Sequence, residues 1–128
     1  MTIRVYYEDT DVGGVVYHSN YLNFCERARS ELFFQSSRSP ITLNGHFVVK
    51  EIKANYLKSA KFGDLLEVKT SLKNIKNASI VMHQRIFRGD ELIFEMDVKL
   101  VHLNHKGEVA LVPEEDKQFL IDMIGVLE

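Results

Sequence analysis

A carboxylate, two glycines and an imidazole fall within the run Asp11-Val12-Gly13-Gly14-Val15-Val16-Tyr17-His18, the densest grouping of potentially reactive residues in the chain. Glycines let backbone approach a ligand closely and accept positive φ. A helix opening just beyond His18 would present N–H groups without intrahelical partners and a partial positive charge of about half a unit. A carboxylate beside such a terminus stays ionised, which suits a nucleophile or a general base and not an acid. The same N–H groups can polarise a carbonyl and hold an oxyanion, at ~2.7–4 kcal/mol per donor in known hydrolases. Acyl transfer uses both ends of that device.

Ordinary structural roles compete for the same residues. An Asp in a glycine-rich loop often only closes a turn, and a His before a helix often caps or packs. Asp9, Asp11 and His18 lack a second carboxylate or imidazole cluster that would complete a metal shell, so no metal is expected. Tyr7 either packs inward or points its hydroxyl at the loop, and alternation leaves both open. Cys25 lies in an apolar helical stripe and reads as core. His102 reads as a strand residue and His105 as an exposed turn residue.

Positioning falls to the elements on either side. Residues 2 to 8 are rich in β-branched and aromatic types and read as a strand that ends at the glycine loop. Ser19 or Asn20 can cap a helix in which Tyr21, Cys25, Ala28 and Leu32 keep one face, giving about four turns. Glu26, Arg27, Arg29 and Glu31 fall on its other face, with Arg27 and Glu31 spaced to pair. The run Ser36-Ser37-Arg38-Ser39-Pro40 ends it. The period then becomes two. Val48, Lys50, Ile52, Ala54 and Tyr56 share one side of an extended segment. Leu66 to Leu72, Ile80 to Ile86 and Leu92 to Leu100 repeat the pattern, the last two joined by a turn at Arg88-Gly89-Asp90. Four strands near ten residues each, read as an antiparallel meander, exceed the usual ~5–6 and imply a large curved sheet. After Pro113, the acidic trio Glu114-Glu115-Asp116 suits a helix start, and Phe119, Leu120, Met123 and Leu127 give an apolar face. The expectation is an α+β fold, a curved five-stranded antiparallel sheet wrapped around one long helix, with a short helix closing the chain.

The remaining features bound the function classes. The chain has 128 residues, 45% of them hydrophobic and 27% charged, with 16 Lys plus Arg against 18 Asp plus Glu. That reads as a single domain over residues 1–128 with a substantial core. Interleaved charge near neutrality gives no electrostatic reason to expect a nucleic acid partner. One cysteine excludes an internal disulfide framework and fits a reducing, cytoplasmic setting. No run of ~18 apolar residues and no signal-peptide pattern occurs, so no integral membrane segment is expected.

The run Arg4-Val5-Tyr6-Tyr7-Glu8-Asp9-Thr10-Asp11-Val12-Gly13-Gly14-Val15-Val16-Tyr17-His18-Ser19-Asn20-Tyr21, continuing to Glu26-Arg27-Ala28-Arg29, resembles the signature of hot-dog-fold acyl-CoA thioesterases. Within the 4-hydroxybenzoyl-CoA thioesterase group it is most similar to the YbgC type, which in bacteria is associated with the Tol-Pal envelope system. The softer stretches Asn55-Tyr56-Leu57-Lys58-Ser59-Ala60 and Gly63-Asp64-Leu65-Leu66-Glu67-Val68 extend the likeness over most of the chain. The resemblance implies that Asp11 is the catalytic carboxylate, that His18 is the second catalytic position and that Tyr7 lies near the same pocket. It implies that amides around Tyr17 and His18 polarise the thioester carbonyl. It places substrate against Gly14, Val16, Tyr17 and Ser59, the last standing where these proteins usually carry proline. It further implies acyl-CoA or an acyl-carrier protein as partner, no cofactor, and a homo-oligomer in which two chains pair edge to edge, often as a tetramer built from two dimers. Two other readings accompany it: an enoyl-thioester hydratase of the same fold, and a non-catalytic module that binds an acyl carrier or an envelope complex.

Overall fold

Period-two alternation becomes four long strands, and the 3.6-period stripe becomes the helix they enclose. The computed structural model describes residues 1–36, 41–42 and 45–125. In chain order the elements are β1 (Thr2–Arg4), a 3-10 turn (Tyr7–Asp9), α1 (Asn20–Gln35), β2 (Ile41–Thr42), β3 (Gly45–Tyr56), β4 (Leu65–Ile75), β5 (Ser79–Arg88), β6 (Glu91–Asn104) and α2 (Glu114–Ile124). The strands make one antiparallel sheet in the order β1-β4-β5-β6-β3-β2. Tyr21, Phe24, Cys25, Ala28 and Phe33 of α1 share a core with inward residues of β4, β5 and β6, among them Leu66, Met82, Ile86, Phe94 and Val98. Burial pushes the Cys25 thiol up to about 12, so it behaves as an inert core side chain. Among the described residues no helix is long and apolar enough to cross a membrane.

Several expectations change in detail. The sheet has six strands, not five, because the two-residue β2 folds back on the start of β3. Only β4, β5 and β6 form a meander. β3 lies on the far side of β6, because β1 already occupies the free edge of β4. The N-terminal strand stops at Arg4 instead of running to residue 8. Asp9 Oδ2 accepts the Tyr6 N–H at 2.8 Å and bends the chain into the 3-10 turn.

Register shifts interrupt three strand pairings, β3 with β6, β4 with β5 and, between Ile86 and Phe87, β5 with β6. In β3, Val49 faces Leu100 and Ile52 faces Val98, with a register shift between Val49 and Glu51. Phe47 and Val49 therefore share the inner side with Ile52, where strict alternation had put Val48 and Lys50. The extra residue keeps the Lys50 charge off the apolar side while bending the strand. A second shift falls between Leu72 and Asn74 of β4.

Helix α1 runs for 16 residues, as its stripe implies, but its polar face differs. Ser19 occupies the N-cap position without a side-chain capping bond, while Asn20 Nδ2 donates to the Asp9 carbonyl at 2.9 Å. No ion pair joins Arg27 to Glu31 among the described residues. Arg29 does not share their exposed face: it is half-buried and donates to Gln84 Oε1 on β5 at 2.8 Å. In α2, Leu120 is buried and Phe119 packs on Phe33 with centroids 5.4 Å apart. Residues 37–40 and Leu127 lie outside the described residues.

Candidate active site

The loop between the 3-10 turn and α1 closes on itself through its own backbone. Thr10 and Val16 form an antiparallel bridge, Asp11 N–H donates to the Val15 carbonyl at 2.9 Å, and Gly14 N–H donates to the Asp11 carbonyl at 3.0 Å. Gly14 sits at φ +79, the left-handed region that a side chain adopts only with strain. The Asp11 carboxylate folds over this turn, and its Oδ1 accepts the Gly13 N–H at 2.8 Å. Its second oxygen has no hydrogen-bond donor among the described residues. A Cβ on Gly13 would lie 3.1 Å from Oδ1, so a side chain there would push the carboxylate by a few tenths of an ångström.

Asp11, Val16, Tyr17, His18 and Ser59 share the wall of one cleft of about 360 Å³. Its aromatic base belongs to the core. Tyr21 stacks on Phe94 at 5.2 Å, and Tyr56 meets both rings edge-on at 5.6 and 5.0 Å. The Tyr56 hydroxyl donates to the His18 carbonyl at 2.8 Å, fixing the peptide that opens the helix. Burial, with the neighbouring Tyr21 and Cys25, pushes Tyr56 above the usual phenol range, so it stays a donor at neutral pH. The Tyr17 N–H is not available to a ligand, because it donates to the Asp9 carbonyl at 2.9 Å. The His18 and Ser19 N–H groups have no partner among the described residues, unlike the Tyr17 N–H.

The opposite wall bends without the proline that the resemblance places at Ser59. Leu57 and Lys58 both donate their N–H to the Ile93 carbonyl, at 2.9 and 3.0 Å, and Arg88 Nη1 donates to the Ser59 carbonyl at 2.9 Å. Ala60 N–H then donates to the Tyr21 hydroxyl at 3.0 Å, and its carbonyl receives the Val16 N–H. These bonds shape the wall that proline would otherwise pre-set. Gly14 shapes the loop but does not line the cleft. Tyr7 does not line it either: it is 81% exposed, with its ring edge against Phe62. Among the described residues no group of three His, Cys, Asp or Glu side chains is arranged to hold a metal ion.

Residues 13–94 match the family model of the thioesterase superfamily. The chain belongs to the thioesterase superfamily. It is 48% identical over 87 residues to the acyl-CoA thioesterase YbgC of Helicobacter pylori, an alignment covering 68% of this chain and 65% of the relative's own length. It is 43% identical over 121 residues to the Haemophilus influenzae acyl-CoA thioesterase YbgC, covering 90% of this chain and 88% of that one. The fold is also that of the 1,4-dihydroxy-2-naphthoyl-CoA thioesterase of Synechocystis, with a TM-score of 0.87 at 18% identity over 96% of this chain and 95% of that one. The thioesterase hot-dog architecture, a sheet curled around one long helix, is the one described above. Five lining residues were not site candidates in the sequence reading: Val15, Tyr21, Tyr56, Leu57 and Lys58. Val15 and Tyr21 sit in the leading motif and the other three in the Asn55-to-Ala60 stretch that carried the resemblance, Tyr56 having been placed only on a strand face. The remaining signal was an aromatic residue at the last position of a long strand.

Proposed function

We propose that the protein hydrolyses acyl-CoA thioesters to the free acid and the thiol, with Asp11 as nucleophile or general base. The observation that carries this reading is that Asp11 and His18 line one cleft, where the backbone that opens α1 leaves N–H groups without a partner among the described residues. The names and similarity of the relatives support the substrate class. In one route the free Asp11 oxygen attacks the carbonyl carbon, forming a C–O bond as the C–S bond breaks, and water then hydrolyses the mixed anhydride. In the other, Asp11 takes a proton from water whose oxygen attacks the carbonyl. Either way the thiolate leaves and takes up a proton, while the His18 and Ser19 amides stabilise the oxyanion. The His18 ring, 4.5 Å from the Tyr17 ring, orients water or stabilises charge at the mouth.

The proposed assembly is a homo-oligomer formed by edge-to-edge pairing of two chains, with two such dimers making a tetramer and with acyl-CoA or an acyl-carrier protein delivering the substrate. Its support is the unpaired outer edge of β3: among the described residues β2 covers only Gly45 and His46, leaving residues 48–56 open.

A thiol-release screen over short, long and aromatic acyl-CoA substrates, run with Asp11→Asn, tests the reading. The variant keeps the shape and removes the charge, so kcat/KM should fall ~10²–10⁴-fold. Undiminished hydrolysis by Asp11→Asn removes Asp11 from the mechanism. Crotonyl-CoA that loses its conjugated double bond without thiol release would mark a hydratase. Specific binding of carrier protein with no turnover of any thioester would mark a binding module.

A further inference from the structure

Beside the cleft, along the same seam between α1 and β3, lies a second cavity of about 390 Å³. Its walls are mostly apolar, from Leu22 and Phe33 of α1, Phe47 and Ile52 of β3, and Met82 of β5. The two spaces are neighbours: Tyr21 lines one and Leu22 the other, and Ile52 and Tyr56 belong to the same inner face of β3. Into this apolar space projects a guanidinium, that of Arg29.

The surroundings of Arg29 are unusual for a permanent charge. Its hydrogen-bond partner is a neutral amide, Gln84 Oε1 at 2.8 Å. Gln84 is itself fully buried and held from its other end, where Nε2 donates to the Cys25 carbonyl at 2.9 Å and to Thr70 Oγ1 at 3.1 Å. The acceptor is therefore aimed by the core, and the guanidinium is fixed in place. Among the described residues no carboxylate lies within 4 Å of Arg29. Glu26, one turn earlier, lines the same cavity without forming an ion pair. Burial lowers the Arg29 pKa, partly offset by Cys25 and Glu26, as expected of a cation drawn partly out of water. A guanidinium held like this has N–H groups left to meet a carboxylate in two-point fashion.

We propose that this cavity receives the distal end of the acyl group and that Arg29 selects acyl chains ending in a carboxylate, the coenzyme A monothioesters of dicarboxylic acids. This rests on the thioester-hydrolysis reading of the neighbouring cleft. Arg29 is eight residues beyond Tyr21, about 12 Å along the helix, and its side chain leans back toward the helix start. That reach suits a chain of medium length running from the thioester carbonyl along the seam. Arg29 acts in specificity: it meets the far end of the substrate and takes no part in bond breaking.

The test compares adipyl-, suberyl- and sebacyl-CoA with hexanoyl-, octanoyl- and decanoyl-CoA, reading kcat/KM by thiol release for the wild type, Arg29→Lys and Arg29→Met. A pocket built for a polar group strongly rejects an analogue that lacks it, so at least one dicarboxylyl ester should exceed its alkyl partner by about tenfold or more. Arg29→Met should erase that ratio, and Arg29→Lys should keep part of it. A fold defect lowers both members of a pair and leaves the ratio unchanged. A wild type that prefers the alkyl member of every pair overturns the proposal while leaving thioester hydrolysis intact, and that comparison holds even if Arg29→Met does not fold. If the wild type turns over no thioester at all, the hydrolysis reading fails, and calorimetry of free suberate against octanoate then decides the binding claim. Suberate must bind more tightly, and Arg29→Met must abolish the difference.

Discussion

The Asp11 carboxylate and the Tyr7 hydroxyl are only four residues apart, yet their surroundings predict opposite consequences of losing them. Tyr7 is exposed against Phe62 and outside the cleft, so Tyr7→Phe should leave kcat/KM for acyl-CoA within about twofold, the expectation for an exposed site without a partner to lose. A tenfold fall would bring its hydroxyl back into the chemistry. Tyr56→Phe removes the donor that fixes the His18 carbonyl, and with it the orientation of the amide proposed for the oxyanion. Here kcat should fall by about tenfold while stability changes by ~1 kcal/mol, a split that separates positioning from folding. That Asp11 and His18 lie in one cleft was legible from spacing, because both flank a glycine turn within one short run. Tyr56 was not, since its contact with His18 crosses 38 residues of chain. Arg29 was misread for the same reason: helical periodicity cannot register the Gln84 that draws it inward.

Among the elements, α1 and the wall after β3 are joined by one bond that local pattern could not reveal. The Ala60 N–H is buried and donates to the Tyr21 hydroxyl, so Tyr21→Phe leaves a donor without its acceptor. Urea unfolding should show a loss of ~1–3 kcal/mol, together with weaker binding of substrate in the cleft that this wall forms. On the outer face of the sheet, Asp97 on β6 accepts from Lys73 on β4 and from His83 on β5, the latter at 2.7 Å. Burial raises its carboxyl, but those two partners win and hold it below the usual carboxylate range. A depressed folded value means the contribution is present above the ordinary Asp pKa of ~3.9 and is lost as pH falls through the folded one. Melting curves from pH 7 down to pH 3 should therefore fall more shallowly for Asp97→Asn than for the wild type, and parallel curves would remove Asp97 from the acid limb. The long strands themselves were readable from alternation. Their bulges were not, because a one-residue insertion is set by the partner strand. The order of β3 in the sheet was hidden too, since alternation identifies faces and does not identify neighbours.

At the scale of the whole molecule, the sheet is closed on one side by the short β1 and nearly open on the other. Among the described residues the outer edge of β3 presents about nine residues of unpaired backbone flanked by half-exposed Val49, Tyr56 and Leu57. Val49 and Tyr56 also line the two cavities, so whatever covers the edge also finishes their walls. In the proposed assembly a second copy of the chain offers the same edge and pairs with it about a two-fold axis, as closed symmetric oligomers do. If folding and pairing are linked in this way, the folded state gains stability from mass action. Each tenfold rise in protein concentration is worth about 1.4 kcal/mol at most, which moves the melting midpoint of domains of this size by a few degrees. The expected result is a dimer or larger species by light scattering at micromolar concentration and a midpoint that climbs with concentration. A monomer whose midpoint is independent of concentration would remove edge pairing, and each chain would then have to bind the acyl group in the half-open seam of its own α1 and β3.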